Sequence, residues 1–286
     1  MLLPAMVRGM NVHLIDGTYE LFRAFYGAPG KRSSQGHEIG ATRAFLRSLR
    51  KFIESPEVTH VACAFDTVIE SFRNKLFDGY KTGEGIDADL LSQFPKVERV
   101  AAALGVTVWS MIDFETDDGI ATGAARFSTC DEVEKVFICS PDKDFAQCVN
   151  DRVVMWDRMR DAVYDRDGVI EKWGVVPESI PDYLALVGDS ADGIPGVPKW
   201  GAKSSAVMLS HYVTIDAIPK DYTQWQVQVR GAKGLAQSLE THREAAALYK
   251  TLATLRTDAP VSERLEEIRL APPNKDELRA IEAEFD

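Results

Sequence analysis

Short apolar runs alternate with longer amphipathic stretches up to about residue 160, and that alternation sets the expected fold. Residues 12–15, 60–65, 107–109, 135–139 and 152–156 are brief, apolar and β-branched, the pattern of buried strands. Between them, residues 38–53, 89–104 and 117–127 carry apolar side chains at helical spacing. Strands separated by helices predict parallel pairing with right-handed crossovers, and so a doubly wound, mostly parallel α/β sheet. After about residue 165 no convincing strand follows. Gly/Pro clusters punctuate helical segments there, and the last helix is expected over 275–285. The predicted organisation is an α/β core over 11–165 and a helical lobe over 166–286. Residues 67–89 fit neither pattern. They follow a strand directly, carry Phe72, Arg73, Lys75, Phe77, Tyr80 and Lys81, and have no clean periodicity. An insertion of about 20 residues in that position is usually functional or mobile.

Acids stand where the predicted strands stop. The first strand runs into Asp16, the second into Asp66, the third into Asp113, Glu115, Asp117 and Asp118, and the fourth into Asp142 and Asp144. In open parallel sheets the carboxyl ends of strands form the ligand crevice. Crowded carboxylates repel one another, and cations relieve that repulsion. A donor set of oxygen alone suits Mg²⁺ or Mn²⁺, and two ions about 3.5–4 Å apart are the arrangement that drives in-line phosphoryl displacement. Asp189 and Asp192 form a further cluster in the helical part, where a helical turn would set both on one side.

Composition narrows the classes. The chain has 286 residues, 45% hydrophobic and 27% charged, with a formal charge of −11. That is globular composition, which excludes a disordered or disulfide-scaffold protein. Set aside the nine acids Asp16, Asp66, Glu115, Asp117, Asp118, Asp142, Asp144, Asp189 and Asp192, and 35 acids face 33 bases. The acidic balance therefore does not exclude a nucleic-acid partner. Seven bases between Arg23 and Lys51 against the single acid Glu38 suggest a phosphate-contacting track. Cys63, Cys130, Cys139 and Cys148 are scattered without a C-x-x-C pair, and the five histidines are dispersed, so no zinc site is readable. No segment approaches the apolar length of a membrane span, and residues 1–10 lack the core of a secretion signal. A cytoplasmic protein is expected, with translation from Met1, Met6 or Met10.

These residues carry a family pattern. Leu14-Ile-Asp-Gly17, Phe22-Arg-Ala-Phe25, Ala64-Phe-Asp66, Ser71-Phe-Arg73 and Gly79-Tyr-Lys81 are followed by Glu115-Thr-Asp-Asp118 and Asp142-Lys-Asp144. Pro181-Asp-Tyr-Leu-Ala-Leu-Val-Gly-Asp189, Asp192-Gly-Ile-Pro-Gly-Val197 and Gly201-Ala-Lys203 complete the order. The chain resembles the 5′-nuclease family, which includes the N-terminal nuclease domain of bacterial DNA polymerase I, phage 5′-exonucleases and flap endonucleases. With no polymerase part after Asp286, it looks like a stand-alone member or an isolated domain.

The resemblance implies a PIN-like nuclease core whose residues have set roles. Asp16, Asp66, Glu115 and Asp117 would gather around a first ion. Asp142, Asp144, Asp189 and Asp192 would serve a second or additional one, and Asp118 would act partly through water. Residues 67–89 would form the arch that single-stranded 5′ DNA threads through, with Lys81 at the scissile phosphate and Arg73 on a neighbouring one. Phe22, beside Arg23, would stack a terminal base. Residues 181–211 would be a helix–hairpin–helix, with Gly196, Val197, Lys199, Gly201 and Lys203 on duplex DNA and K⁺ held by hairpin carbonyls. The implied function is 5′-flap endonuclease and 5′–3′ exonuclease action in replication and repair by a monomer, with no membrane partner.

Four positions depart from the family: Thr116 and Gly193 stand where Ala and Asn are usual, Trp200 where an aliphatic residue is usual, and Glu84 where many relatives carry Arg. Glu84 motivates an alternative, a catalytically weak branched-DNA-binding protein of the same fold. A small-molecule Mg²⁺ phosphohydrolase is a further alternative, disfavoured because neither arch nor hairpin serves a small substrate.

Overall fold

The apolar runs form strands that stop where the acids begin. In a computed structural model, which describes residues 9–286, the chain runs β1 (Met10–Asp16), α1 (Gly17–Gly27), α2 (Gly40–Ile53) and β2 (His60–Asp66). It continues through α3 (Ala88–Leu91), α4 (Phe94–Ala103), β3 (Thr107–Met111), α5 (Thr116–Phe127) and β4 (Val133–Cys139). Then come β5 (Val153–Asp157), β6 (Ala162–Tyr164), α6 (Arg166–Trp173), α7 (Ile180–Val187) and α8 (Ala202–Tyr212). The last elements are α9 (Ala232–Thr241), α10 (Arg243–Ala253) and α11 (Lys275–Ala283). Of residues 1–10, the segment read for a secretion signal, residues 1–8 lie outside the described residues. No helix among the described residues is long and apolar enough to cross a membrane.

The described residues divide into two units, 9–69 with 83–140 and 257–286, and 70–82 with 141–256. In the first, β1 pairs in parallel with β2 and β4, and β2 with β3. Helices α1, α4 and α5 pack against β2, and its run from Val61 to Phe65 is fully buried, which is why it reads as continuously apolar. Asp16 ends β1 and caps α1, its Oδ1 accepting from Tyr19 N at 2.8 Å. The predicted helix over 89–104 is two helices. Gln93, fully buried between them, accepts at Oε1 from both the backbone N and the hydroxyl of Thr42, each at 2.9 Å, and Pro95 opens α4.

The second compact unit takes in residues from 141 onward. In the second unit Gln147 bonds to the far end of α10, donating to Ala253 O at 3.0 Å and accepting from Leu255 N at 2.9 Å, so residues from 141 onward group with the helices. Residues 257–286 rejoin the first unit through Leu270 N to Thr59 O (2.8 Å) and Asn274 N to Ala103 O (2.8 Å). The pattern also missed β6, a three-residue strand pairing antiparallel with β5. Asp182, buried on α7, accepts from Ile215 N at 2.8 Å and pairs with Lys250 of α10 at 3.0 Å, which fixes the helical packing around the site.

Candidate metal centre and nucleic-acid interface

In the second unit, Asp144, Asp189 and Asp192 each offer a carboxylate oxygen within 4.8 Å of the other two, and all three side chains are buried. Asp189 and Asp192 do not meet on a helical turn, as their spacing predicts. They lie in a tight turn closed by Asp189 N to Ile194 O (2.8 Å) and Ile194 N to Asp189 O (2.7 Å). Gly193 in that turn has φ +75°, and a Cβ there would lie 2.1 Å from Gly79 O. In this turn only glycine fits.

Lysines supply the countercharge. Lys143 Nζ sits 2.5 Å from Asp189 Oδ2 and 3.9 Å from Asp144 Oδ1, and Lys81 Nζ sits 2.9 Å from Asp192 Oδ1. The Asp144 Oδ1 atom is buried and accepts no hydrogen bond. Burial, then the charges of Asp142, Asp192 and Asp189, push the Asp144 carboxyl well above the ordinary range, against the opposing pull of Lys143. Burial alone would lower the Lys143 ammonium, but the hydrogen bond to Asp189 and the neighbouring carboxylates raise it. A buried carboxylate oxygen without a donor, in a cluster of oxygen ligands alone, fits a hard divalent cation. Asp142 is exposed at the edge of this group, where its Oδ1 accepts from Asp144 N at 3.1 Å. Lys143 is the functional candidate that motif reading passed over; its place inside Asp142-Lys-Asp144 was the available signal.

The first unit gathers the other acids at the ends of its strands, but among the described residues no three of them come so close. Their oxygens are engaged locally. Asp16 Oδ2 accepts from Ser140 Oγ at 2.8 Å, Asp66 Oδ1 from Thr116 N at 2.7 Å, and Asp118 Oδ2 from Glu115 N at 3.1 Å. Thr18 and Thr116 hydroxyls meet at 3.0 Å, and Asp66 N donates to Thr18, tying the starts of α1 and α5 to the end of β2. Glu115 and Asp118 are buried, whereas Asp117 is half-exposed.

Residues 70–82, within the insertion expected to form the arch, belong to the second unit. Lys81 is docked on the acidic turn by its backbone as well, donating from N to Asp192 O at 3.1 Å while its own carbonyl accepts from Asn74 Nδ2 at 2.8 Å. Arg73 departs from the expected phosphate contact. It is 1% exposed, its Nε donates to Leu252 O at 2.8 Å and its Nη2 to Thr254 O at 3.2 Å, so it clamps the segment to the end of α10. Glu84 is exposed.

Residues 188–201 join α7 to α8 as a glycine-rich loop, with Lys199 in the left-handed region at φ +72°. Trp200, placed where an aliphatic residue was expected, is buried and its indole donates to Leu235 O at 3.1 Å. Gly196 has φ +74°, and a Cβ there would lie 2.6 Å from Gly188 N, whereas at Gly201 a Cβ would meet nothing within 4 Å. Gly201→Val therefore tests the duplex contact expected from sequence. It is expected to weaken duplex-DNA binding about tenfold, the scale of hydrogen bonds to a charged group, with Tm lowered by a few degrees at most, because Gly201 is the N-cap of α8 and valine caps less well. Fluorescence anisotropy alongside thermal unfolding checks this.

In the first unit Phe22 is half-buried, edge-on to Phe94 at 6.1 Å. The basic run is partly neutralised: Arg23 pairs with Glu20, Arg32 with Asp89 and Arg50 with Glu282, while Arg43 lies over the Phe285 ring. Lys31, Arg47 and Lys51 remain exposed, so the continuous track expected from sequence is reduced.

Residues 11–174 match the family described as the 5′-3′ exonuclease N-terminal resolvase-like domain, and residues 175–276 the 5′-3′ exonuclease C-terminal SAM fold. DNA polymerase I of Pseudomonas aeruginosa is 34% identical over 282 residues, a match covering 96% of this chain and 30% of the polymerase. The chain thus spans under a third of that relative. The 5′-3′ exonuclease of Aquifex aeolicus is 31% identical over 270 residues, covering 94% of this chain and 90% of the relative. A bacteriophage T5 flap endonuclease, solved with DNA and metal ions, superimposes with a TM-score of 0.68 over 95% of this chain and 99% of that one, at 19% identity. That likeness concerns the fold: a mostly parallel α/β sheet with a helical C-terminal domain. Two matching domain models in sequence order, and a relative covered nearly end to end, place this chain in the 5′-3′ exonuclease family.

Proposed function

We propose that this chain is a divalent-metal-dependent 5′-nuclease that cuts DNA 5′ flaps and degrades from 5′ ends in replication and repair, leaving 5′-phosphate and 3′-hydroxyl products. The observation that carries the reading is the buried Asp144–Asp189–Asp192 cluster with its donorless oxygen, in a chain whose family relatives are named 5′-3′ exonucleases. Bound Mg²⁺ or Mn²⁺ would supply charge to offset that developing on a phosphodiester during in-line displacement. Asp144, Asp189 and Asp192 would hold one ion, with Asp142 adding charge from the rim. Asp16, Asp66, Glu115 and Asp117 would hold the other, and Asp118, which accepts from the Glu115 backbone, would orient Glu115 and act partly through water. Lys81 carries the ammonium that meets the scissile phosphate, and Arg73 positions Lys81 by fixing the segment before it. Phe22 stacks the terminal base. Hairpin carbonyls around Val197 would hold K⁺, with Lys199 and Lys203 supplying charge toward the duplex backbone.

End-labelled 5′-flap, nicked and single-stranded DNA, incubated in Mg²⁺ and in Mn²⁺ with the cut sites mapped, test the reading. Cleavage at 5′ ends or flap junctions is expected in at least one metal, and binding without cleavage in both overturns it. Glu84 gives a graded check. Replacing this exposed acid with a base, Glu84→Arg, is expected to tighten flap binding and raise cleavage several-fold, most at low salt where screening is weakest. Single-turnover rates across a salt series measure it.

A further inference from the structure

A cleft of about 530 Å³ in the second unit opens beside the start of α8, and residues 228–230, just before α9, line it as well. This segment is fixed against the hairpin. Trp200 donates to Leu235 O, Ser238 Oγ donates to Pro198 O at 2.5 Å, and the Trp225 ring packs 6.4 Å from that of Trp200. The rim carries Lys199, Lys203 and Arg230, all exposed. Among the described residues no carboxylate stands within ion-pair distance of any of the three, while in the same chain Arg23, Arg32, Arg50, Arg99, Lys81 and Lys143 all have acidic partners. In a protein of charge −11, three unpaired cations around one cleft mark a site built for an external anion. Lys199 is held there despite a backbone conformation that favours glycine. Ala202, Val207 and Val229 give the cleft an apolar lining.

We propose that Arg230 and Gln228 form a second wall of the duplex-binding groove, so that one DNA strand's backbone runs between them and the Lys199–Lys203 pair; this rests on the nuclease reading above. Apolar lining with a cationic rim suits alternating deoxyribose and phosphate, whereas a lone small anion has no use for Val207 and Val229. The Arg230 guanidinium offers a planar fork to two oxygens of a phosphate, and the Gln228 amide donates to the next. Neither residue belongs to the glycine-rich loop, so motif reading does not find them.

The test is duplex binding by Arg230→Gln and Gln228→Ala, measured by fluorescence anisotropy in EDTA, where no divalent-metal cleavage runs, across about 50–200 mM salt. Lys172→Gln is the control: it removes the same charge from α6, where the ammonium lies over the Tyr164 and Trp173 rings. Arg230→Gln is expected to raise Kd about three- to tenfold and to flatten the dependence of log Kd on log salt by about 0.9, the value of one lost phosphate contact. Gln228→Ala raises Kd without changing the slope, and Lys172→Gln changes neither. Circular dichroism should be unaltered, since Arg230 is exposed. A wild-type protein that binds duplex DNA while Arg230→Gln behaves like Lys172→Gln overturns the second wall and leaves the nuclease reading standing. A wild-type protein that binds no duplex overturns both.

Discussion

Asp189→Asn is expected to lower cleavage by more than about a hundredfold in saturating Mg²⁺ while leaving the protein folded. Changes one layer outside a metal site typically cost ten- to a hundredfold in affinity or activity, so loss of a direct ligand costs more. Asparagine keeps the size of the side chain and removes the charge that Lys143 balances at 2.5 Å. A second variant separates ligand loss from misfolding. Asp144→Asn removes a buried carboxylate that repels Asp142, Asp192 and Asp189 and whose Oδ1 lacks a donor. It is therefore expected to raise the Tm of the metal-free protein, while abolishing cleavage as Asp189→Asn does. In both variants the Tm gain produced by adding Mn²⁺ should shrink, because a ligand that binds only the folded state stabilises in proportion to its affinity. Full retention of the metal-induced shift, together with cleavage near the wild-type rate, would show that the cluster is not a working metal site.

How much of this was legible in the sequence depends on the distance over which each feature is determined. Strand cores are local: Val12, Leu14 and Ile15 are apolar because helices packed on the sheet bury them in its interior, and the run reads directly. The acids that follow the strands are local too, and so their positions at the strand ends were visible. What the spacing could not carry was the backbone between Asp189 and Asp192. Three residues apart fits a helical turn and equally a tight turn, and Gly193 under Gly79 O decides the matter through a contact more than a hundred residues distant. Arg73 is a similar case. A basic residue in an arch-like insertion suggests phosphate, but its partners are backbone carbonyls at Leu252 and Thr254, which no local pattern announces. Gln93 breaks a continuous helical periodicity because it is anchored to Thr42 on another helix.

Lys81→Ala is expected to reduce the single-turnover rate about a hundredfold with less than about a threefold change in DNA affinity, the signature of an interaction made mainly in the transition state. The placement of the residue argues for that split. Its backbone is fixed at both sides of the peptide, by Lys81 N to Asp192 O and by Asn74 Nδ2 to Lys81 O, so the side chain starts from a defined point beside the cluster. Its ammonium is 2.9 Å from Asp192 Oδ1, with the Lys81 side chain 30% exposed and the Asp192 side chain 12%. A partly exposed pair of this kind contributes little to folding, about 0–1 kcal/mol, so Lys81→Ala should change Tm by no more than a few degrees. A divalent ion held by Asp192 would offset that carboxylate's charge and leave the Lys81 ammonium to a phosphate oxygen. Lys81→Arg keeps the charge but replaces a compact ammonium with a broad planar group, and it should recover only part of the rate. If Lys81 instead served chiefly to balance Asp192, Lys81→Ala would weaken the metal-free protein and be rescued by higher Mn²⁺, with a normal rate at saturation. Single-turnover rates at several Mn²⁺ concentrations distinguish the two: a rate that stays low at saturating metal supports the phosphate role, and a rate that returns to the wild-type value eliminates it.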